Sequence, residues 1–316
     1  MTEQVPIILD VDTGTDDALA LAYAVASPRI DLVAVTTVAG NVDIEKTTAN
    51  TLSVLDWLGS EDIPVHRGAS RPLVRPHQDA IYFHDEGGLG GAQLPPSRRS
   101  VGADRGPAAL IRLARQRPGE LTLVTLGPLT NLAIALNVEP MLPELLKTVV
   151  VMGGAYTVPG NTTPAAEFNI LVDPEAAEQV FSAPFRSLTA VGLDVTEQVA
   201  LTRDDWDAAN VDSSLPAPAR LLGEVGAFAF SRLGRDQFSL HDPLSVAVAI
   251  DPTLIEVREL ALAVDAVEPE RGRTTIVGPG TVRVATSVDA QRALEEFRRT
   301  VGLPTSRQEE LRIGVG

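Results

Sequence analysis

Short runs of β-branched and aliphatic residues alternate with helical patterns through the first two thirds of the chain, and no other feature constrains the fold as much. Strands that alternate with helical stretches need crossover connections, which make the strands parallel and cover the sheet with helices. Residues 5–11, VPIILDV, form a near-continuous apolar run suited to a strand buried on both faces. Residues 17–26 follow with strong helix formers, and Pro28 stands just beyond them. The unit recurs at 32–38 before 44–58, at 121–126 before 129–137, and at 148–152 before the segment after Asp173-Pro174, while 187–195 adds a further strand. The expected fold is α/β: a mostly parallel, doubly wound, Rossmann-like sheet with flanking helices, binding its ligand at the carboxyl ends of the strands.

Residues 68–106 break the rhythm. They hold seven glycines and four prolines without sustained periodicity, so a long loop is expected there, and ordered loops of that length often serve as lids. Helical patterns return at 219–233 and 241–250, strand-like runs at 257–264, 274–277 and 282–286, and a closing helix at 290–299, with residues 308–316 expected to fray. No linker-like tract or internal repeat interrupts the 316 residues, so one domain over 1–316 is expected. The formal net charge of -16 and pI near 4.7 disfavour nucleic acid and anionic membranes as partners and suit a neutral or cationic small substrate. There is no cysteine, which excludes disulfides, thiolate metal sites and cysteine nucleophiles. The amino terminus reads as a strand rather than a secretory signal, and no apolar stretch has the length of a membrane span, so a cytoplasmic protein is expected.

Chemistry concentrates where the first strand ends. Asp10, Asp12, Asp16 and Asp17 fall within eight residues, with Gly14 permitting the sharp turn between strand and helix. Asp16 and Asp17 would also serve as helix-start residues, each worth about 0.5–2 kcal/mol as a cap. One cap needs only one of them. Three carboxylates around one turn repel each other unless a cation neutralises them, and with only four histidines and no cysteine a hard cation such as Ca²⁺ or Mg²⁺ is the expected occupant.

The segment DVDTGTDDALA resembles the amino-terminal signature of the nucleoside hydrolase family of the inosine-uridine preferring type, with Thr13 where the family usually has proline. TTVAGN ending in Asn41, LVTLGPLTNLA, VMGGAY, GNTTPAAEFNILVDPEAA and HDPLSVA resemble the later blocks in the same order, so the likeness spans residue 7 to about 250. It implies that Asp12, Asp17, Asp242 and the Leu126 carbonyl hold Ca²⁺, and that Asp16, Asn41, Asn161, Glu167 and Asn169 hold the ribose. Asp12 is then the general base toward a calcium-activated water that attacks C1′, along an oxocarbenium-like path. His241 is the expected acid toward the leaving base, with an orienting role beside Asp242 as its alternative, and it points to inosine and uridine. His84, in FHDEGGLGG, resembles the family's loop histidine near the substrate, and Phe168, with Phe228 or Phe230, is a stacking candidate. His66 and His77 have no motif support.

The resemblance further implies a homodimer or homotetramer, poor use of 2′-deoxynucleosides, and base selectivity set at 70–100 and 222–240. Two other readings stay open on sequence alone. Asp10-Val11-Asp12 after an apolar strand also resembles a haloacid-dehalogenase-type Mg²⁺-dependent phosphatase, and the same residues would suit a non-catalytic calcium-dependent nucleoside-binding protein.

Overall fold

A computed structural model describes residues 4–211 and 213–304. Its strands are β1 (Val5–Val11), β2 (Ile30–Thr37), β3 (Val65–Arg67), β4 (Thr122–Thr125), β5 (Thr148–Met152), β6 (Leu188–Val191), β7 (Ala200–Thr202), β8 (Gln237–Ser239), β9 (Ile255–Val264), β10 (Thr274–Pro279) and β11 (Val282–Val288). Nine of them form one sheet in the order β10-β9-β11-β6-β5-β4-β1-β2-β3, and β7 pairs with β8 in a separate ribbon. From β3 to β11 every pairing is parallel, whereas β9 runs antiparallel to both β11 and β10. The doubly wound expectation therefore holds, with an antiparallel extension at one edge.

The apolar runs are explained by burial on both faces. Along β1, Ile7, Leu9 and Val11 enter one core while Ile8 enters the other, because successive side chains alternate across a strand. Helices Thr15–Ala26, Ala217–Ala227, His241–Ile250 and Ala290–Val301 pack the first core, and helices Gly106–Gln116, Thr130–Val138 and Pro174–Ser182 pack the second. Strand order reverses between β1 and β4, and at such a switch point the loops diverge to opposite faces and leave a crevice at the strands' carboxyl ends.

Several local expectations change. The strand expected over 187–195 stops at Val191, where Gly192 turns the chain into the one-turn helix Leu193–Thr196. The helix expected over 219–233 ends at Ala227 and continues as a π-helical turn, Phe228–Arg232. The long loop after β3 carries a one-turn helix, Ile81–His84. It is tied down by the Arg75–Glu175 ion pair, by Leu73 N–H on Asp173, and by Ala80 N–H on the Asn41 carbonyl. The fraying expected at 308–316 lies outside the described residues. Among the described residues no helix is long and apolar enough to cross a membrane.

Candidate active site

Four carboxylates converge at the switch point. Asp12 follows β1, Asp16 and Asp17 occupy the first turn of Thr15–Ala26, and Asp242 is the second residue of His241–Ile250. Carboxylate oxygens of Asp16, Asp17 and Asp242 lie within 4.8 Å of one another. Asp12 sits beside this trio, in hydrogen-bonding reach of Asp17, as Asp16 is of Asp242. The sequence reading assigned Asp16 to the ribose. The fold places it at the cavity lining and close to Asp17 and Asp242, with Asp12 at the side of this group.

Backbone donors fix this geometry. Asp17 accepts from Asp12 N–H at 3.1 Å and Gly14 N–H at 2.8 Å, closing the turn before the helix, so it caps the helix start and still belongs to the cluster. Asn41, beyond β2, donates its backbone N–H to Asp12 at 2.7 Å and its amide to Asp17 at 3.2 Å. Gly40 and Gly127 leave room for the Asp12 carboxylate; a Cβ would stand 2.0 Å and 2.7 Å from its two oxygens. Thr13, which replaces the expected proline, is buried and pairs its hydroxyl with that of Thr51 at 2.7 Å, so a side-chain contact steadies the turn.

No ion pair among the described residues involves any of the four aspartates. Loss of water, then repulsion from Asp17, pushes Asp16 up to about 7, and burial followed by neighbouring carboxylates raises Asp12 and Asp242 well above the usual range. Burial also raises Asp17, against the hydrogen bonds from Gly14 and Asp12. Oxygen donors crowded this closely, without a basic partner, fit a hard divalent cation.

The cluster floors a cavity of about 230 Å³. Asp16, Asn41, His84, Leu126, Asn161, Glu167, Phe168, Asn169, His241 and Asp242 all line it, so residues spread over more than 200 positions meet in one place. The Leu126 carbonyl, at the end of β4, accepts the Asn169 amide at 2.7 Å. Glu167 caps the short helix Phe168–Val172 and accepts the N–H groups of Asn169, Ile170 and Gly154 at 2.8–3.1 Å; burial raises its pKa against those bonds. Asn161 is exposed at the rim, with its carbonyl on Phe168 N–H at 3.0 Å.

Both motif histidines stand over the carboxylates. His84 is buried, and its Nδ1 accepts from Thr15 N–H at 3.1 Å, which leaves Nε2 carrying the proton; burial, then the nearby His241, pushes its pKa down to about 3. His241 places Nδ1 2.7 Å from the Thr196 hydroxyl, and burial, then the charge of Arg235, pushes it down to about 4. Phe228 and Phe230 do not line the cavity: Phe230 stacks on Trp206 at 5.8 Å in the core, and Arg232 covers Phe228. His66 and His77 contact the backbone carbonyls of Asp104 and Gly40.

The regions 70–100 and 222–240, expected to set base selectivity, hold Phe83, Arg235, Gln237 and Ser239, none of which the sequence singles out individually, and Glu197 lies outside both. Phe83 opens the FHDEGGLGG block that carries His84, but the others belong to no motif block, and a three-residue strand such as Gln237–Ser239 has too little periodicity to read.

A family profile described as inosine-uridine preferring nucleoside hydrolase matches residues 7–295. The chain is 38% identical over 308 residues to a non-specific ribonucleoside hydrolase of Salmonella newport, covering 95% of this chain and 97% of that one. It is 35% identical over 301 residues to a probable uridine nucleosidase of Arabidopsis thaliana, covering 90% and 93%. A solved plant nucleoside hydrolase superposes with a TM-score of 0.88 at 32% identity, over 95% of this chain and 99% of that one.

Proposed function

The chain belongs to the inosine-uridine preferring nucleoside hydrolase family, and from that premise we propose that it hydrolyses the N-glycosidic bond of ribonucleosides with Asp12 as general base and Ca²⁺ at the carboxylate cluster. The products are ribose and a free nucleobase. The observation that carries the reading is the buried carboxylate group without a basic partner, set in the floor of a cavity whose walls hold Glu167, Asn161, Asn169 and two histidines.

Calcium there, with Asp12, Asp17, Asp242 and the Leu126 carbonyl as its expected donors, would neutralise the cluster and acidify the attacking water. Asp16, with a carboxylate oxygen within 4.8 Å of those of Asp17 and Asp242, stands where the metal and the ribose would meet. Asp12 takes the proton of the water that attacks C1′, and the Asn41 N–H and the two glycines fix the direction in which its carboxylate points. Asp16, Asn41, Asn161, Glu167 and Asn169, all at the cavity lining, orient the ribose. Phe168 packs with Ala80 of the long loop and closes one wall. His241 stands toward the base, oriented through Nδ1 by Thr196, and His84 offers its Nε2–H beside it.

The phosphatase alternative requires Asp10 as a nucleophile. Its carboxylate is wholly buried, accepts from Thr36 and Asn131, and does not line the cavity, so it has no access to a phosphate ester. Assembly as a homodimer or homotetramer belongs to the same proposal, and sedimentation of the purified chain reads it directly.

Ribose release from inosine, adenosine, uridine and cytidine tests the function, using calcium-loaded and chelated protein and Asp12→Asn. The expected result is calcium-dependent release that Asp12→Asn lowers at least ~100-fold. Folded, calcium-bound protein that releases ribose from none of the four would support the binding-protein reading instead.

A further inference from the structure

The cavity is lined with acids, yet a glycosidic bond also needs something to receive the base. Asp16, Glu167, Glu197 and Asp242 line the cavity, and Arg235 is the one lysine or arginine among its described lining residues. Its position is built. Arg235 follows Gly234, whose φ of 62° turns the chain, and its backbone N–H bonds the Ala229 carbonyl at 3.0 Å, which ties the turn to the π-helical segment Phe228–Arg232. Its guanidinium lies 4.3 Å from the ring centroid of Phe83, so the plane of the fork is held by an aromatic face from the opposite loop. Both side chains line the cavity, and Arg235 is near enough to His241 for its charge to act on the imidazole.

We propose that Arg235, braced on Phe83, is the group that binds the departing base, selecting bases with a ring carbonyl and stabilising the negative charge they acquire as the bond breaks. The inference rests on the nucleoside-hydrolase reading above and adds a residue and a selectivity to it. When the C1′–N bond breaks, its electron pair leaves on the base nitrogen. The water oxygen bonds to C1′ and gives one proton to Asp12, and the base anion takes a proton from solvent as it departs, so ribose and neutral base are the net products. In hypoxanthine, guanine and uracil that electron pair delocalises onto a carbonyl oxygen. A guanidinium presents two parallel N–H donors, matching the O6 and N7 acceptors of a 6-oxopurine edge, and it stays charged at any working pH. Adenine offers an N6 amino group, itself a donor, where hypoxanthine offers O6, so the fork meets a donor and the interaction is lost. Glutamine or serine in the same wall, Gln237 and Ser239, would orient a base but carry no charge to stabilise an anion.

The test compares wild type, Arg235→Gln and Arg235→Lys on inosine, adenosine and 4-nitrophenyl β-D-ribofuranoside, each with saturating calcium. Nitrophenolate is a good leaving group that needs no help from a cation, so this glycoside isolates ribose binding and water attack from base departure. For Arg235→Gln the expected loss in kcat/KM on inosine is roughly 100-fold, the usual cost of removing one preorganised charge-stabilising donor, against less than about tenfold on adenosine and about threefold on the nitrophenyl riboside. Arg235→Lys keeps the charge without the fork, so it should recover part of the inosine rate while the preference for inosine over adenosine shrinks. Phe83→Leu, which removes the brace, should show the same pattern at smaller size. An equal fall on all three substrates, or an unchanged inosine rate, overturns the proposal. Wild type inert on all three, the nitrophenyl riboside included, overturns the nucleoside-hydrolase reading itself and the proposal with it.

Discussion

Removing the cation should make the protein's stability depend on pH through Asp16, and replacing Asp16 by asparagine isolates that dependence. Asp16 titrates near 3.8 in an unfolded chain and is pushed up to about 7 in the fold, chiefly by burial and then by the charge of Asp17. A carboxyl that holds its proton more tightly when folded costs nothing below its unfolded pKa. The cost grows as pH rises, because the folded state must give up a proton it favours, and it levels off above about 7. At ~1.36 kcal/mol per pH unit the cost is about 1.6 kcal/mol at pH 5 and about 4 kcal/mol at pH 8. His84 and His241, held neutral by burial and nearby positive charge, act in the opposite direction: their contribution to stability rises with pH up to about 6.5. The readout is therefore the difference between Asp16→Asn and wild type, in which the histidine contributions cancel. With an unfolding entropy of ~2.1 cal/mol/K per residue, the 316-residue chain changes Tm by about 1.5 °C per kcal/mol. In EGTA, scanning calorimetry should show Asp16→Asn melting about 2 °C above wild type at pH 5 and about 6 °C above it at pH 8. Saturating calcium should reverse the order, because wild type then gains the binding free energy that the variant loses. A difference in EGTA that is flat or shrinks from pH 5 to 8 would refute the argument that uncompensated burial controls this site.

Three further outcomes follow from the same geometry. Gly127→Ala places a Cβ 2.7 Å from an Asp12 oxygen, so kcat on inosine should fall at least ~100-fold while circular dichroism stays native; an active variant would mean that the Asp12 orientation is not critical. Thr196→Val removes the hydroxyl 2.7 Å from His241 Nδ1 and should lower kcat about tenfold with little change in KM, and a change confined to KM would count against an orienting role. 2′-Deoxyinosine should be used at least ~100-fold less efficiently than inosine, since groups placed for the missing hydroxyl are left unpaired; comparable turnover would remove the ribose contacts from the account.

Local chemistry carried much of the fold into the sequence. A strand buried on both faces must be apolar along its whole length, so β1 and its parallel neighbours are visible as runs such as VPIILDV and TVVVM. The aspartates around Gly14 were legible for a related reason: crowding them at one turn makes little sense without a cation, whatever surrounds them. The ordered motif blocks supplied Asn41, Asn161, Glu167, Asn169, His241 and Asp242 of the cavity lining, while Asp17 belongs to the carboxylate cluster and Asp12 lies beside it.

What tertiary structure decided are the relations between distant segments. Strand order is fixed by how crossover helices pack, which no single segment encodes, so the crevice between β1 and β4 and the antiparallel edge formed by β9 and β10 emerge only in the assembled sheet. The grouping of Asp16 and Asp17 with Asp242 depends on helix His241–Ile250 packing against helix Thr15–Ala26, two elements more than 200 positions apart. Phe83 and Arg235 lie 152 positions apart in segments without periodicity, and a contact between a ring and a guanidinium leaves no local pattern in either. Backbone preference and burial act on neighbours in the chain and can be read from it; the Phe83–Arg235 contact joins side chains that become neighbours only after the sheet has closed its core.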